Sequence, residues 1–324
     1  MKKNDENIMS LDWIRSLNLS NYSIVIGPIV LFIALSFLSP YFLTFDNINN
    51  LLMQMSINGI MAVGATFVII TGGIDLSVGS TMAASGICMG TMYYLAGENT
   101  LIAIITVLLV GAIFGSANGL LVSMGRVPPF IATLGMMQVG RGVALVIGNN
   151  QSISKYSDII KWFGTGKILN IYVPIIIMLV VYTLAFIVLR YTPFGRRVYA
   201  VGGNAEASRL SGINIIKTKF LVYVISGALS GFAGLVLTGR LNIAHPVAGT
   251  GAELDVIASV VIGGTSLVGG KGGVIQTLIG ALIVQLIRNG LNLMNVSVSA
   301  QQIIIGLVII CTVLFDSIKN RERQ

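Results

Sequence analysis

Charge divides this chain into uncharged stretches that are long by the standard of a soluble domain. Residues 16–45, 47–74, 76–97, 99–125, 168–189, 220–239 and 289–315 contain no Asp, Glu, Lys or Arg. Each offers at least the roughly 20 residues that a helix needs to cross a bilayer core. Two further stretches, 127–154 and 256–287, are broken only by Arg141 and Lys271. The first reads as one span and the second as two, so about ten spans are expected. Inside a bilayer each must satisfy its own backbone polar groups, which makes it a helix. The expected fold class is an all-α polytopic membrane protein.

Composition agrees. The chain is 55% hydrophobic and 10% charged, whereas soluble domains carry about 25% charged residues. The net charge of +8 does not signal nucleic acid, because the basic residues are scattered between apolar spans with no interleaved aromatics. Cys88 and Cys311 both lie in apolar runs and His245 is the single histidine, so neither a disulfide framework nor a metal site is indicated. No nucleophile is paired with a base, and an enzyme is not expected.

Basic residues also orient the chain. With the N-terminus in the cytoplasm, Lys2, Lys3, Arg15, Arg126, the 190–219 loop, Lys271, Lys319, Arg321 and Arg323 all fall inside. Only Lys155, Lys161, Lys167 and Arg240 fall outside, with Arg141 and Arg288 near or within spans. The bias of Lys and Arg toward the cytoplasm then puts both termini inside. The division expected is a cytoplasmic segment 1–21 without a cleavage site, one transmembrane domain 22–316, and a tail 317–324. Spans two to five and seven to ten form blocks of similar length that start on opposite sides. Such blocks mark inverted repeats, although the matching residues (GIDLSVGS against ELDVIASVV) are few.

The loop 190–219 is the most charged interruption, with Arg190, Arg196, Arg197, Arg209, Lys217 and Lys219 against the single acid Glu206. A short helix signal lies inside it: Asn204 as N-cap, Glu206 in the first turn and Gly212 as C′ residue. A capped two-turn helix on a basic loop suits a docking element for another protein.

Candidates for a translocation path come from broken helices and intramembrane polar groups. In 71–80 the pair Gly72-Gly73 stops one helix, and Asp75 or Ser77 caps the next. This is either a tight cytoplasmic turn or a discontinuous helix whose N-terminus nears the path. Glu253 and Asp255 favour a helix start. The stretch 256–270 is short for a span and broken by Gly263-Gly264-Thr265-Ser266, which points to a translocation site. Arg141 either snorkels to the outer interface or, with Thr133 and Gln138, lines a polar path. Asn58, Asn118, Gln285, Asn289 and Asn292 are further polar candidates, amides that in membrane helices also hold helices together. Gly270-Lys271 is not a phosphate loop, since Thr265 and Gly272 replace the Gly and Ser/Thr which that motif needs.

Several stretches in order, IMAVGATFVIITGGIDLSVGS, VPPFIATLGMM, GRRVYAVGGNAEASRLSGI, AGTGAELDVIASVVIGGTSLVGGKGG and TLIGALIVQLIRNGLNLMNVS, resemble the membrane permeases of bacterial ribose-type ABC sugar importers. The match covers most of the chain from the second span onward. The resemblance implies a type II-like permease in the inner membrane, paired with a second copy of itself. It also implies a cytoplasmic ATPase that binds ATP and Mg, which this chain does not, and a periplasmic sugar-binding protein. Arg196, Gly202, Asn204, Ala205, Glu206, Ala207, Arg209, Leu210, Ser211 and Gly212 would then form the coupling helix and its approach. Ribose is the nearest substrate guess. The rival is an ion-coupled secondary transporter, which needs an intramembrane carboxylate or histidine that the expected positions of Asp75, Glu253 and Asp255 do not supply. A passive channel, the weaker third reading, requires no docking loop.

Overall fold

The computed structural model describes residues 19–321, with side chains from 26 to 314. Residues 1–18 and 322–324 lie outside it, and with them most of the expected segment 1–21 and the end of the tail.

Thirteen helices follow one another in the described residues: α1 (Leu19–Leu38), α2 (Phe45–Ile70), α3 (Val78–Leu95), α4 (Thr100–Ser123), α5 (Pro129–Ile147), α6 (Asp158–Thr165), α7 (Val173–Tyr191), α8 (Pro193–Gly203), α9 (Ala205–Leu210), α10 (Ile215–Leu241), α11 (Ala252–Ile262), α12 (Val274–Leu293) and α13 (Val298–Arg321). Every uncharged stretch holds a helix. Among the described residues, six helices are long and apolar enough to cross a membrane by length and composition: α2, α4, α5, α7, α10 and α12. The eleven residues of α11 reach only about 16 Å along its axis.

Four two-residue strands depart from the all-helical expectation. β1 (Ile153–Ser154) pairs antiparallel with β4 (Ile243–Ala244), and β2 (Lys167–Ile168) with β3 (Ile171–Tyr172). The strands join the connections at the end of the bundle where α10 finishes. At its other end α10 begins beside α8 and α9, the basic face.

Local chemistry sets the boundaries. Asn99 Oδ1 accepts from Ile102 N at 3.1 Å to cap α4, and Pro129 opens α5, where a missing N–H costs nothing. The end of α2 is a Schellman motif. Gly73 N donates to Val68 O at 3.0 Å and Gly72 N to Ile69 O at 2.9 Å, with Gly72 at φ +74°.

Burial puts α2 at the centre, since 89% of its apolar window is covered by protein. The partner it crosses, α10, lies against α4 with backbones touching. A methyl added to Gly111 would overlap the Gly227 carbonyl, and one on Gly227 the Gly111 carbonyl. Gly64 of α2 reaches α10 the same way, 2.7 Å from its would-be Cβ to Ser226 Cα. With no hydrophobic drive between helices in lipid, such close approach supplies the dispersion that holds them together. The second half of the chain uses the same device, where Gly280 of α12 meets the Ser259 carbonyl of α11.

The link between α2 and α3 corrects one expectation. It is not a solvent turn: Thr71, Asp75 and Ser77 are all buried. After Gly72 the chain doubles back, so that Ile74 meets Tyr223 and Asp75 meets Ser226, the residue that Gly64 also touches. Ser226 is eleven residues into α10, about 17 Å from its first residue in a helix of about 40 Å. Asp75 therefore sits inside the bundle rather than at its end.

Candidate functional site

Four of the expected path residues gather around this link. Asp75, 2% exposed, accepts at Oδ1 from Ser77 N (3.0 Å) and Ser77 Oγ (2.6 Å), and at Oδ2 from Ser226 Oγ (2.8 Å). Asn118 Nδ2 donates to Ser77 Oγ at 2.8 Å and reaches Asp75 Oδ1 at 3.5 Å. Thr133 Oγ1 donates to Pro129 O at 2.8 Å and lies 3.3 Å from Ile74 O. The Tyr223 hydroxyl donates to the same carbonyl at 3.2 Å. A buried carboxylate with this many donors is held in charge-assisted bonds and fixes three elements to one another. Ser226 and Tyr223 were missed in the sequence because a hydroxyl within the uncharged α10 run carries no signal of what it faces.

The starts of α3 and α11 lie side by side in the interior, and the two helices run apart to opposite ends. A Cβ on Gly79, in the first turn of α3, would meet the Gly249 carbonyl and Glu253 Oε2 (2.8 Å). From there α3 runs to Tyr94, whose hydroxyl donates to Ser154 O at 2.6 Å near the strands. In the other direction α11 leads to Gly269 and Gly270 at the end of α2. Two positive helix ends thus share one level, and acids there are favourable: Asp75 precedes α3, and Glu253 and Asp255 occupy the first turn of α11.

Two arginines complete the layer. Arg141 Nη1 donates to Pro246 O (3.0 Å) and Ala248 O (2.8 Å), pinning the chain that leads into α11. Its side chain is half-buried. Arg288 Nη2 of α12 meets Asp255 Oδ1 at 2.7 Å. Glu253 Oε2 is buried with no hydrogen-bond partner among the described residues. Asp75 and Asp255, expected at opposite membrane ends of their segments, are both buried among the helices.

The remaining candidates fall elsewhere. Asn289 exchanges hydrogen bonds with Asn47 at 2.8 and 3.1 Å, and Gln285 Nε2 donates to Gln54 at 2.9 Å, both clasping α12 to α2. Gln138 is exposed on α5, and Asn58 is half-buried on α2 with no side-chain hydrogen bond among the described residues. Gly263, Gly264, Thr265 and Ser266 form the turn after α11, with Thr265 buried against Gly272.

The basic face carries the second candidate site. Asn204 Oδ1 accepts from Ala207 N at 2.9 Å, and Glu206 pairs with Arg209. That guanidinium holds the Glu206 carboxyl below its usual range. Gly212, at φ +80°, closes α9 with a second Schellman motif: Gly212 N to Arg209 O and Ile213 N to Ser208 O, each 3.0 Å. The expected helix is present at six residues, and α8 before it had not been foreseen. A Cβ on Gly202 of α8 would overlap the Ile70 carbonyl and approach Gly270 N, which itself donates to Ile70 O at 2.9 Å. The end of α2, the end of α8 and the 269–270 turn are thus one contact.

Residues 47–313 match the family described as branched-chain amino acid transport system / permease component. The chain is 47% identical to the ribose import permease protein of Escherichia coli K12, covering 91% of this chain and 93% of that protein. It is 46% identical to the ribose import permease protein of Bacillus subtilis (91% and 92%) and 39% identical to the D-allose transport system permease protein of Escherichia coli K12 (88% and 87%). No solved structure matches it. The chain belongs to the branched-chain amino acid transport system permease family, as a transport component rather than an enzyme.

Proposed function

We propose that this chain forms the translocation pathway of an ATP-driven importer of a monosaccharide of the ribose type, and that a separate cytoplasmic subunit hydrolyses ATP. The observation that carries this reading is the shared contact of Gly202, Ile70 and Gly270. Through it, a push on α8 and α9 reaches α2, the most covered of the candidate spans, and the turn after α11 without any flexible connection. A capped, exposed helix coupled rigidly to the core suits docking of an ATPase. The relatives named as ribose and allose permeases supply the substrate class.

The finer architecture follows the same reading. The chain has ten membrane helices in two inverted repeats, with both termini in the cytoplasm of a bacterial inner membrane. Supporting it, α3 lies on α4 and α5 as α11 lies on α12 and α13, and α10 meets α4 as α2 meets α12. The paired starts of α3 and α11 then stand where two repeats meet, near the path. A second copy of the chain, an external sugar-binding protein and surrounding lipid complete the assembly.

Asp75 favours a second reading, ion-coupled transport, because a buried carboxylate inside the bundle is what such coupling requires. Its oxygens are engaged by Ser77, Ser226 and Asn118, which suits a fixed structural charge. Uptake by the chain reconstituted with its ATPase and receptor separates the two. Transport that needs ATP and survives collapse of the proton gradient supports the importer. Transport that survives loss of ATP and fails with the gradient sinks it.

A further inference from the structure

A cavity of about 690 Å³ opens on the basic face, between the end of α7, the first turns of α8 and the start of α12. Arg190, Tyr191, Arg196 and Tyr199 line it together with the backbone of residues 272–276. Arg190 and Arg196 are exposed, and neither has a carboxylate partner among the described residues. Arg190 suits its place at the C-terminus of α7. Arg196 does not, because it stands in the first turn of α8, where the helix dipole opposes a cation and no acid relieves it.

The start of α12 adds to the same field. Its first turn has no acid and its N-cap, Gly273, offers no side-chain acceptor. The amides of Val274, Ile275 and Gln276 find no backbone acceptor among the described residues. Two guanidinium groups and the positive end of α12 therefore line a space with no carboxylate in its lining, and Arg190 offsets the negative end of α7 beside them. The Tyr199 hydroxyl, donating to Gly272 O at 2.8 Å, holds the rim in shape.

Phe186, Leu189 and Ile275 supply apolar wall, and α7 continues from them with Leu184 and Ile187 exposed. Tyr191, 67% exposed, stands at the mouth as interfacial aromatics do. A free phosphate would use only the charged half of this surface, whereas an amphiphile uses both.

We propose that this cavity holds the phosphate headgroup of an anionic phospholipid of the inner leaflet, gripped by Arg190 and Arg196. Basic pockets between membrane helices on the cytoplasmic side take such headgroups. The proposal rests on the orientation given above, which puts the end of α7 at the cytoplasmic surface. A headgroup there would brace α8 against α12 and so tie the membrane surface to the docking face.

The test is native mass spectrometry of the full chain in detergent, titrated separately with phosphatidylglycerol, phosphatidylcholine and inorganic phosphate. Phosphatidylglycerol should bind, phosphatidylcholine should not, and millimolar phosphate should leave the lipid in place. The Arg190→Gln/Arg196→Gln variant should weaken lipid binding roughly thirtyfold, at about a kcal/mol per basic residue. Arg126→Gln, on the link before α5, should leave it unchanged. Ile275→Trp fills the cavity without altering charge and should also expel the lipid, which covers the case of a double variant that fails to fold. Wild-type retention of phosphatidylglycerol in the charge and cavity variants would overturn the site, and displacement by phosphate would overturn the lipid as occupant. Binding in detergent is read without transport or orientation, so failure here leaves the importer reading standing. Failure of ATP-driven uptake likewise leaves the lipid result intact.

Discussion

Ser226 Oγ donates to Asp75 Oδ2 at 2.8 Å, and this bond joins α10 to a link that sequence places 151 positions away. The carboxylate is buried and its other oxygen takes the amide and hydroxyl of Ser77. Replacement of Asp75 by Ala leaves Ser77 and Ser226 without their acceptor inside the bundle, at about 1–3 kcal/mol for each donor stranded, while Asn118 keeps Ser77 Oγ. Asp75→Ala should lower the melting temperature in detergent by more than Ser226→Ala, which removes one bond worth about 1 kcal/mol. The double variant should cost less than the sum, and strict additivity would show that the two side chains do not act on each other.

The pair of Asp255 and Arg288 predicts an asymmetry. The carboxylate is 6% exposed and the guanidinium 24%, at 2.7 Å. Arg288→Ala strands a buried charge and should destabilise by about 3–5 kcal/mol. Asp255→Leu/Arg288→Met removes both charges and should recover most of that loss. Thermal unfolding of the three proteins in one detergent decides it, and equal losses in single and double variants would refute the assignment.

Arg141 makes a different kind of prediction, because its partners are backbone carbonyls. Both bonds come from Nη1, to Pro246 and Ala248, so a single nitrogen donor that reaches the two carbonyls will serve. Arg141→Leu should leave a folded chain whose 246–251 segment exchanges amide hydrogens faster. Arg141→Lys should recover part of the protection, since one ammonium can approach both carbonyls. Unchanged exchange in Arg141→Leu would mean that the segment is held elsewhere.

What could be read in advance divides along physical lines. Each charge-free stretch became a helix because a bilayer offers the backbone no other partner, and caps such as Asn204 and Gly212 act through neighbours within a few residues. These were legible. The fold of the link onto Ser226 was not, because a run such as Gly72-Gly73-Ile74-Asp75 is equally compatible with a solvent turn and with a chain that doubles back. Only the close crossing of α4 and α10 at glycines far apart in sequence brings the Asn118 and Ser226 side chains to Asp75. The place of Arg141 was opaque for a related reason. Arg141 answers carbonyls more than 100 positions distant, and carbonyls leave no mark in sequence.

The glycines themselves give a sharp test. Gly227 lies against Gly115 Cα, 2.6 Å from its would-be Cβ, so there is no side chain to move aside. Gly227→Leu should separate α4 from α10 and prevent accumulation of folded protein, well beyond the 1–3 kcal/mol of ordinary overpacking. Gly135 has no atom within 4 Å of its would-be Cβ, so Gly135→Leu should leave the stability of the single chain within about 0.5 kcal/mol, apart from helix propensity. Comparable yields of the two variants would refute the tight crossing.

Gly212 and Gly202 separate folding from coupling on the basic face. At Gly212 the φ of +80° disfavours any L side chain, yet nothing lies within 4 Å of a Cβ there. Gly212→Val therefore strains only the closing turn of α9, at about 1–2 kcal/mol, and leaves the bundle intact. With its ATPase and receptor present, this variant should lose at most a few degrees of melting temperature and lose the coupling of ATP hydrolysis to sugar uptake. Gly202→Val instead drives atoms into the Ile70 carbonyl and the Gly270 amide, so it should lower the melting temperature as well. The ratio of ATP hydrolysed to sugar accumulated, set beside the melting temperature of each variant, distinguishes the roles. Full coupling in Gly212→Val would remove α9 from the docking surface and leave α8 as the element that carries the push to α2.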